Sequence, residues 1–250
     1  MKATIRAGVA LSAILSAWAA APDPRAVEIA RAAMQAMGGE AGWKQVRYVR
    51  FDFIVKIGGQ VRIARKHLWD KQTGRYRLED KSANDSPGVV LFDLRDGQGA
   101  AYVSGKKLVG PDAARALQGA YRTCRMDLDW LAMPWRWFDP GVHLQYVGEK
   151  ILQGQAFDVL EVTVDQPAGA DATRYHAYVS RRSHLLEHWS VGAETSLWDW
   201  QYVKVGGIQL ASDHINTLKK VSISMGDVKV LDNVDRAFLT DPARGLASLK

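Results

Sequence analysis

His184-Leu185-Leu186-Glu187-His188 is the stretch of this chain whose residue types and order come closest to a catalytic metal site. On a helix, the H-x-x-E-H pattern sets two imidazoles on one face, where a zinc ion can bridge them beside a glutamate base. The flanks point to a strand instead. Tyr175, Ala177 and Val179 alternate ahead of the polar turn Arg181-Arg182-Ser183, and the motif runs on into Trp189 and Val191. In a strand, residues four apart are separated by about 13 Å, too far to share an ion whose ligands sit at about 2 Å. No helical segment downstream offers a third ligand. The expectation is a chain without catalytic metal, cofactor or covalent nucleophile, with a zinc hydrolase built on His184, Glu187 and His188 as the reading to exclude.

The other polar residues are less suggestive. Asp127 and Asp129 stand two apart on a helical pattern, so they point to different sides, and both are expected in solvent. His67 shares a strand face with Val61 and Ile63 and reads as a satisfied, half-buried histidine. Asp213 and His214 are adjacent on a strand and face opposite ways. No G-x-S-x-G, phosphate-cradling glycine loop or CxxC is present. Cys124 is the single cysteine. It cannot form an intramolecular disulfide, and it falls on an apolar helical stripe, so it reads as a small buried hydrophobe.

Aromatic residues carry more information. Trp198, Trp200 and Tyr202 lie on one face of a strand whose other face holds Leu197, Val203 and Val205. Such a strand is covered on both sides or exposes one side to a ligand. The run from Trp130 to Phe138 (WLAMPWRWF) gathers bulky groups where a long helix passes into a loop. Phe51, Phe53, Trp69, Leu128, Leu131, Trp198 and Trp200 are the candidate lining of an apolar cavity, and Trp135 and Trp137 the candidates for its entrance.

The elements that would position these residues follow from periodicity. Asp23-Pro24 opens a helix over 24–37, with Val27, Ala30, Met34 and Met37 on one face and Gly38-Gly39 ending it. From Val49 the period becomes two. Strands are expected at 49–57, 61–69, 76–78, 89–94 and 100–104, joined by tight glycine-bearing turns. A second helix over 112–133 places Ala114, Leu117, Tyr121, Cys124, Leu128 and Leu131 in one stripe, and Pro134 ends it. Strands resume at 142–152, 156–164, 174–180, 184–191, 195–205, 208–218 and 221–231, with a turn at Gly192-Ala193 and a bulge at Gly226-Asp227 that restores the inward register of Val228 and Val230. Hairpins in series make the sheet antiparallel, and a twisted sheet of that size curls.

The first residues have the layout of a secretory signal peptide. Lys2 and Arg6 precede an apolar run from Ala7 to Trp18, and Ala17-Trp18-Ala19 fits cleavage after Ala19. The run is shorter than the ~20 residues a spanning helix needs. The formal net charge is +6; without Lys2 and Arg6, 31 basic residues face 27 acidic ones, which leaves +4. An excess this small and dispersed does not argue for nucleic acid. No linker, low-complexity tract or repeat divides the chain, so residues 20–250 are expected to form one domain.

A leader, a first helix ending in Gly-Gly and Trp43, and then strand hairpins resemble the LolA/LolB-like periplasmic half-barrels. The stretches from Trp69 to Arg77 (WDKQTGRYR) and from Trp130 to Val142 (WLAMPWRWFDPGV) resemble an uncharacterised branch of that superfamily. The resemblance implies a mainly β, α+β fold: an open, curled antiparallel half-barrel of about 11 strands with helices on its concave side. It also implies a soluble, monomeric periplasmic protein. Its work would be to carry or chaperone an apolar ligand, a lipid or the acyl chains of a lipoprotein, between membrane donor and acceptor proteins. The lipid-bearing N-terminal cysteine of the LolB type is absent, so no anchor is expected. A scaffold that binds an envelope protein without a small ligand is the alternative.

Overall fold

The computed structural model describes residues 23–81, 86–165, 172–191 and 196–249. The leader and its cleavage site, the Gly192-Ala193 turn and the start of the strand expected at Thr195 lie outside them. The described residues form helices α1 (Pro24–Ala36), α2 (Gly39–Gln45) and α3 (Gly110–Ala132). The strands are β1 (Tyr48–Ile57), β2 (Gln60–Asp70), β3 (Arg75–Lys81), β4 (Pro87–Asp93), β5 (Gly99–Val103), β6 (Lys106–Lys107), β7 (Val142–Leu152), β8 (Gln155–Val164), β9 (Thr173–Ser180), β10 (Leu186–Val191), β11 (Trp198–Val205), β12 (Ile208–Asn216) and β13 (Val221–Leu231). They make one open antiparallel sheet in the order β6-β5-β4-β3-β2-β1-β13-β12-β11-β10-β9-β8-β7. Each half is a meander, and β1 and β13, the first and last strands in the chain, pair at its centre.

Alternation decides which face each strand buries. Val49, Phe51 and Phe53 of β1 point to the helices and are nearly inaccessible. On β13 the register against β1 shifts between Arg50 and Asp52, so Asp227 and Val228 bulge out, one residue beyond the predicted place. Asp227 takes the left-handed φ of 46° that such a bulge uses. α3 crosses the inner face from β4 and β5 to β12, six strand spacings or about 29 Å, within reach of a 23-residue helix. α1 meets β7 at the far edge. One apolar core joins both halves of the sheet beneath these helices.

α1 begins as its sequence requires. Asp23 accepts hydrogen bonds from the N–H groups of Arg25 and Ala26, and its other oxygen accepts one from Tyr146 N–H at 2.7 Å. That last bond, chiefly, holds the Asp23 carboxyl below the usual range, and it fastens α1 to β7. The buried stripe is Ala26, Ile29, Ala30, Ala33 and Met34, with Val27 at its margin. Gly38 has φ 120°, and a Cβ there would come within 2.9 Å of the Gly207 carbonyl oxygen, so a side chain is excluded twice over. The Gly-Gly pair does end α1. Gly39 also starts α2, which carries Trp43 and is too short to show a periodic stripe.

Past β13 the chain turns onto the outer face. Two single-turn 3₁₀ segments, Arg236–Leu239 and Leu246–Ser248, set Phe238, Leu239 and Leu246 on Tyr48 and Leu68. Buried Arg77 donates to the carbonyl oxygens of Phe238, Asp241 and Pro242, and Glu79 accepts from Leu246 N–H. No helix among the described residues is long and apolar enough to cross a membrane.

Candidate functional site

The metal-like motif does not assemble. His184 is exposed, in a turn with φ 58°, while Glu187 and His188 lie on β10. Glu187 accepts from Ser183 Oγ at 2.7 Å, and His188 Nδ1 faces Asp199 across to β11 at 3.1 Å. Among the described residues no three His, Cys, Asp or Glu side chains gather where a metal could sit.

The polar residues that do meet are ones the sequence pattern sets aside. Asp127 is fully buried, which overturns the expectation that it stands in solvent. It sits three residues after Cys124 and four before Leu131, so it shares the inner face of α3. Arg65 Nε and Nη2 each donate to it at 2.8 Å. His67 Nε2 lies 3.2 Å from Asp127 Oδ2, and His67 Nδ1 is 3.0 Å from Tyr76 Oη. Burial lowers the His67 pKa, favouring the neutral ring. Despite its nearness to Asp127, Nε2 makes no hydrogen bond, and the ring's bond to the Tyr76 hydroxyl is made by Nδ1. Arg65 is thus the group that satisfies the Asp127 carboxylate.

Cys124 Sγ is 3.9 Å from His67 Nδ1, a proximity that in a cleft would suggest an activated thiol. Here the sulfur is fully buried, and burial raises its pKa well above the ordinary thiol value, so the thiol form is favoured. The cluster ties α3 to β2. Asp129, also expected in solvent, is part-buried and meets Arg136, which in turn holds Asp139 at 2.9 Å and donates to the Arg125 carbonyl.

The aromatic candidates divide. Phe51, Phe53, Leu131, Trp137, Trp198 and Trp200 are at most 9% exposed and fill the inner face as packed core. Trp130 stacks on Trp200 and meets Trp198 and His214, so the deep interior of the β7–β13 meander is occupied by side chains. Trp69, Leu128 and Trp135 border open space. Trp135 is stacked on Trp43 with ring centres 5.3 Å apart, and Trp43 leans on Trp69 at 6.2 Å. Trp135 Nε1 donates to the Gln209 carbonyl, which fixes its ring.

These rings, with Met34 and Phe138, line a surface groove of about 620 Å³ between α1, α2 and the β2–β3 turn. A second hollow of about 210 Å³ continues past Trp69 to Leu94 and Leu128. A separate hollow of similar size lies between the first half of α3 and β3 to β5, against Leu78, Val90 and Ala120. Trp43 enters the sequence reading only through the resemblance and not as a lining residue, because α2 is too short to show a period.

Fold and groove together define the class, an open antiparallel half-barrel with helices against its inner face and an aromatic hollow at one rim. Solved structures similar to it include a DUF1329 family protein from Desulfovibrio piger, 12% identical over 87% of this chain and 98% of its own, TM-score 0.48. A LolA superfamily protein from Nitrosomonas europaea is 11% identical over 82% and 96%, TM-score 0.45. A domain from Vibrio parahaemolyticus named for outer membrane lipoprotein sorting is 9% identical over 87% and 97%, TM-score 0.46. No family model and no curated protein matches the chain. Identities this low say nothing of ligand or partner, so function has to be read from this chain's own residues.

Proposed function

We propose that this protein is a non-enzymatic carrier or chaperone for an apolar ligand, a lipid or the acyl groups of a lipoprotein, working in the periplasm after removal of residues 1–19. The observation that carries the reading is the groove bounded by Trp43, Trp69, Trp135 and Phe138. Its size is in the range of small-molecule sites, and its lining combines four aromatic rings and Met34 with six charged side chains, four of them basic. An acyl chain laid against those rings is stabilised by about 0.8 kcal/mol for each CH₂ it withdraws from water. Trp135 is held by its bond to Gln209 and by stacking, so the site exists before a ligand arrives and little ordering cost remains.

Native mass spectrometry of protein purified from the envelope, with extraction of what it carries, tests this. Bound amphiphile that is lost when Trp43 and Trp135 are both replaced by alanine is the expected result. Protein that emerges empty and takes up neither lipid nor a hydrophobic dye overturns it. One observation favours a second reading, an envelope scaffold without small ligand: the inner face deep to the groove is filled by Phe51, Phe53, Trp137, Trp198 and Trp200. A scaffold would show a protein partner on pull-down and no extractable lipid.

A further inference from the structure

The charges around the groove are not balanced. Lys44 is paired with Glu40 at 2.7 Å, and Arg136 is held by Asp129 and Asp139. Lys71 has no carboxylate within ion-pair distance among the described residues. Its backbone N–H is tied to the Arg47 carbonyl at 2.8 Å, which fixes the β2–β3 turn that carries it. Its Nζ lies 4.7 Å from the centre of the Trp43 ring, at the junction of the two connected hollows, where both are lined by Trp69. Arg31 at one end and Arg125 at the other likewise pair with no carboxylate, Arg125 donating only to Tyr121 Oη among side chains.

A half-buried ammonium with only a π face for company has lost water without gaining an anion. Burial pulls the Lys71 pKa below the usual lysine value, and Asp139 acts on it only from a distance. An anionic group arriving there would restore what burial removed. A neutral headgroup can accept a hydrogen bond from Nζ but brings no opposite charge, so it gains less. Since Nζ sits over the same ring that lines the apolar hollow, a molecule answering to both features needs a single negative headgroup joined directly to an aliphatic tail.

Resting on the carrier reading above, we propose that the ligand is a single-tailed anionic amphiphile whose phosphate or carboxylate headgroup is held by Lys71 while its tail lies along Trp43, Trp69 and Trp135. Calorimetry and tryptophan fluorescence with dodecyl phosphate and dodecyl maltoside, each below its micelle concentration, measure the headgroup preference at constant tail. Wild-type protein is expected to bind the phosphate about tenfold more tightly, the change that 1.4 kcal/mol makes. Lys71→Gln is expected to bring that ratio close to one, and Lys71→Arg to keep it, with circular dichroism confirming that both variants are folded.

Equal affinity of wild type for the two amphiphiles overturns the headgroup assignment and leaves the carrier reading in place. A ratio unchanged in Lys71→Gln also overturns it. Failure to bind either amphiphile removes the carrier reading, and this inference with it. Inorganic phosphate alone binding as tightly as dodecyl phosphate would show that the occupant is a free anion, which overturns the amphiphile.

Discussion

Replacing Asp127 by Asn removes the charge that completes the buried centre while keeping the side chain's shape. Asp127 is fully buried and Arg65 9% exposed, and two charge-assisted bonds of 2.8 Å join them. The substitution leaves the guanidinium facing a neutral amide, and the amide group competes with Arg65 and His67 for the same two oxygens' places. Breaking a buried pair from one side costs about 3–5 kcal/mol, a large share of the 5–15 kcal/mol that stabilises an ordinary fold.

Urea unfolding followed by tryptophan fluorescence reads the loss as a midpoint shift. With a slope of about 2–3 kcal/mol per molar, the midpoint should fall by more than about 1 M. The double variant Arg65→Met, Asp127→Leu removes both charges together, and replacing a buried pair by apolar side chains is often close to neutral. It should therefore be more stable than Asp127→Asn alone. A loss below about 1 kcal/mol for Asp127→Asn, or a double variant less stable than the single one, refutes the role given to this centre.

Two further outcomes follow from buried polar groups. His214 is enclosed by Trp130 and Trp200, and burial lowers its pKa from the ordinary 6.5 to about 3. The folded protein then binds fewer protons than the unfolded chain between those values, so stability is complete above pH 6.5 and falls as the pH drops toward 3. His214→Leu should lose about 2 kcal/mol less than wild type between pH 7 and pH 5, at 1.36 kcal/mol per unit below 6.5; an equal loss refutes it. Arg77→Ala should free the segment from 232 to 249 on the outer face, so that trypsin cuts after Arg236 or Arg244 before the sheet unfolds; unchanged cleavage on mass spectrometry would show that apolar contacts alone hold it.

The sheet was legible because its cues are local. β1, β2 and β8 give ten or eleven residues each over which the period of two can be read, and tight turns join consecutive strands into hairpins. The bulge near Asp227 was legible for the same reason, since a parity change between Met225 and Val228 has few other causes. Pairing of β1 with β13 across the whole chain had no local cue. The pattern puts Asp127 in solvent because the apolar stripe of α3 already takes Cys124, Leu128 and Leu131. Its spacing to Cys124 and Leu131 points inward, and Arg65 and His67 on the inner parity of β2 required a partner there. Among the aromatics, apolar character marked burial but not what each ring is buried against. Protein covers Trp137 and Trp200, and open space borders Trp69 and Trp135. For Trp69 and Trp200 strand register decides this, while Trp135 and Trp137 lie in the irregular turn after α3, where no period predicts direction.

That division bears on how such a carrier would hold its cargo. A tail threaded through the centre of the half-barrel would have to displace Phe51, Trp130 and Trp200, whose packing is shared by both meanders. A tail lying in the rim groove need not displace them, because Trp43, Trp69 and Trp135 pack on that core from one side and border open space on the other. The buried centre at Asp127 fixes α3 against β2, beside the wall that Leu128 contributes to the second hollow. Rim binding leaves one flank of the ligand in water and forgoes part of the ~0.8 kcal/mol per CH₂ that full enclosure would give. The smaller stabilisation means faster release. For a protein that must accept a ligand at one surface and give it up at another, a shallow preformed groove on a rigid frame suits the task better than a deep and tightly closed one.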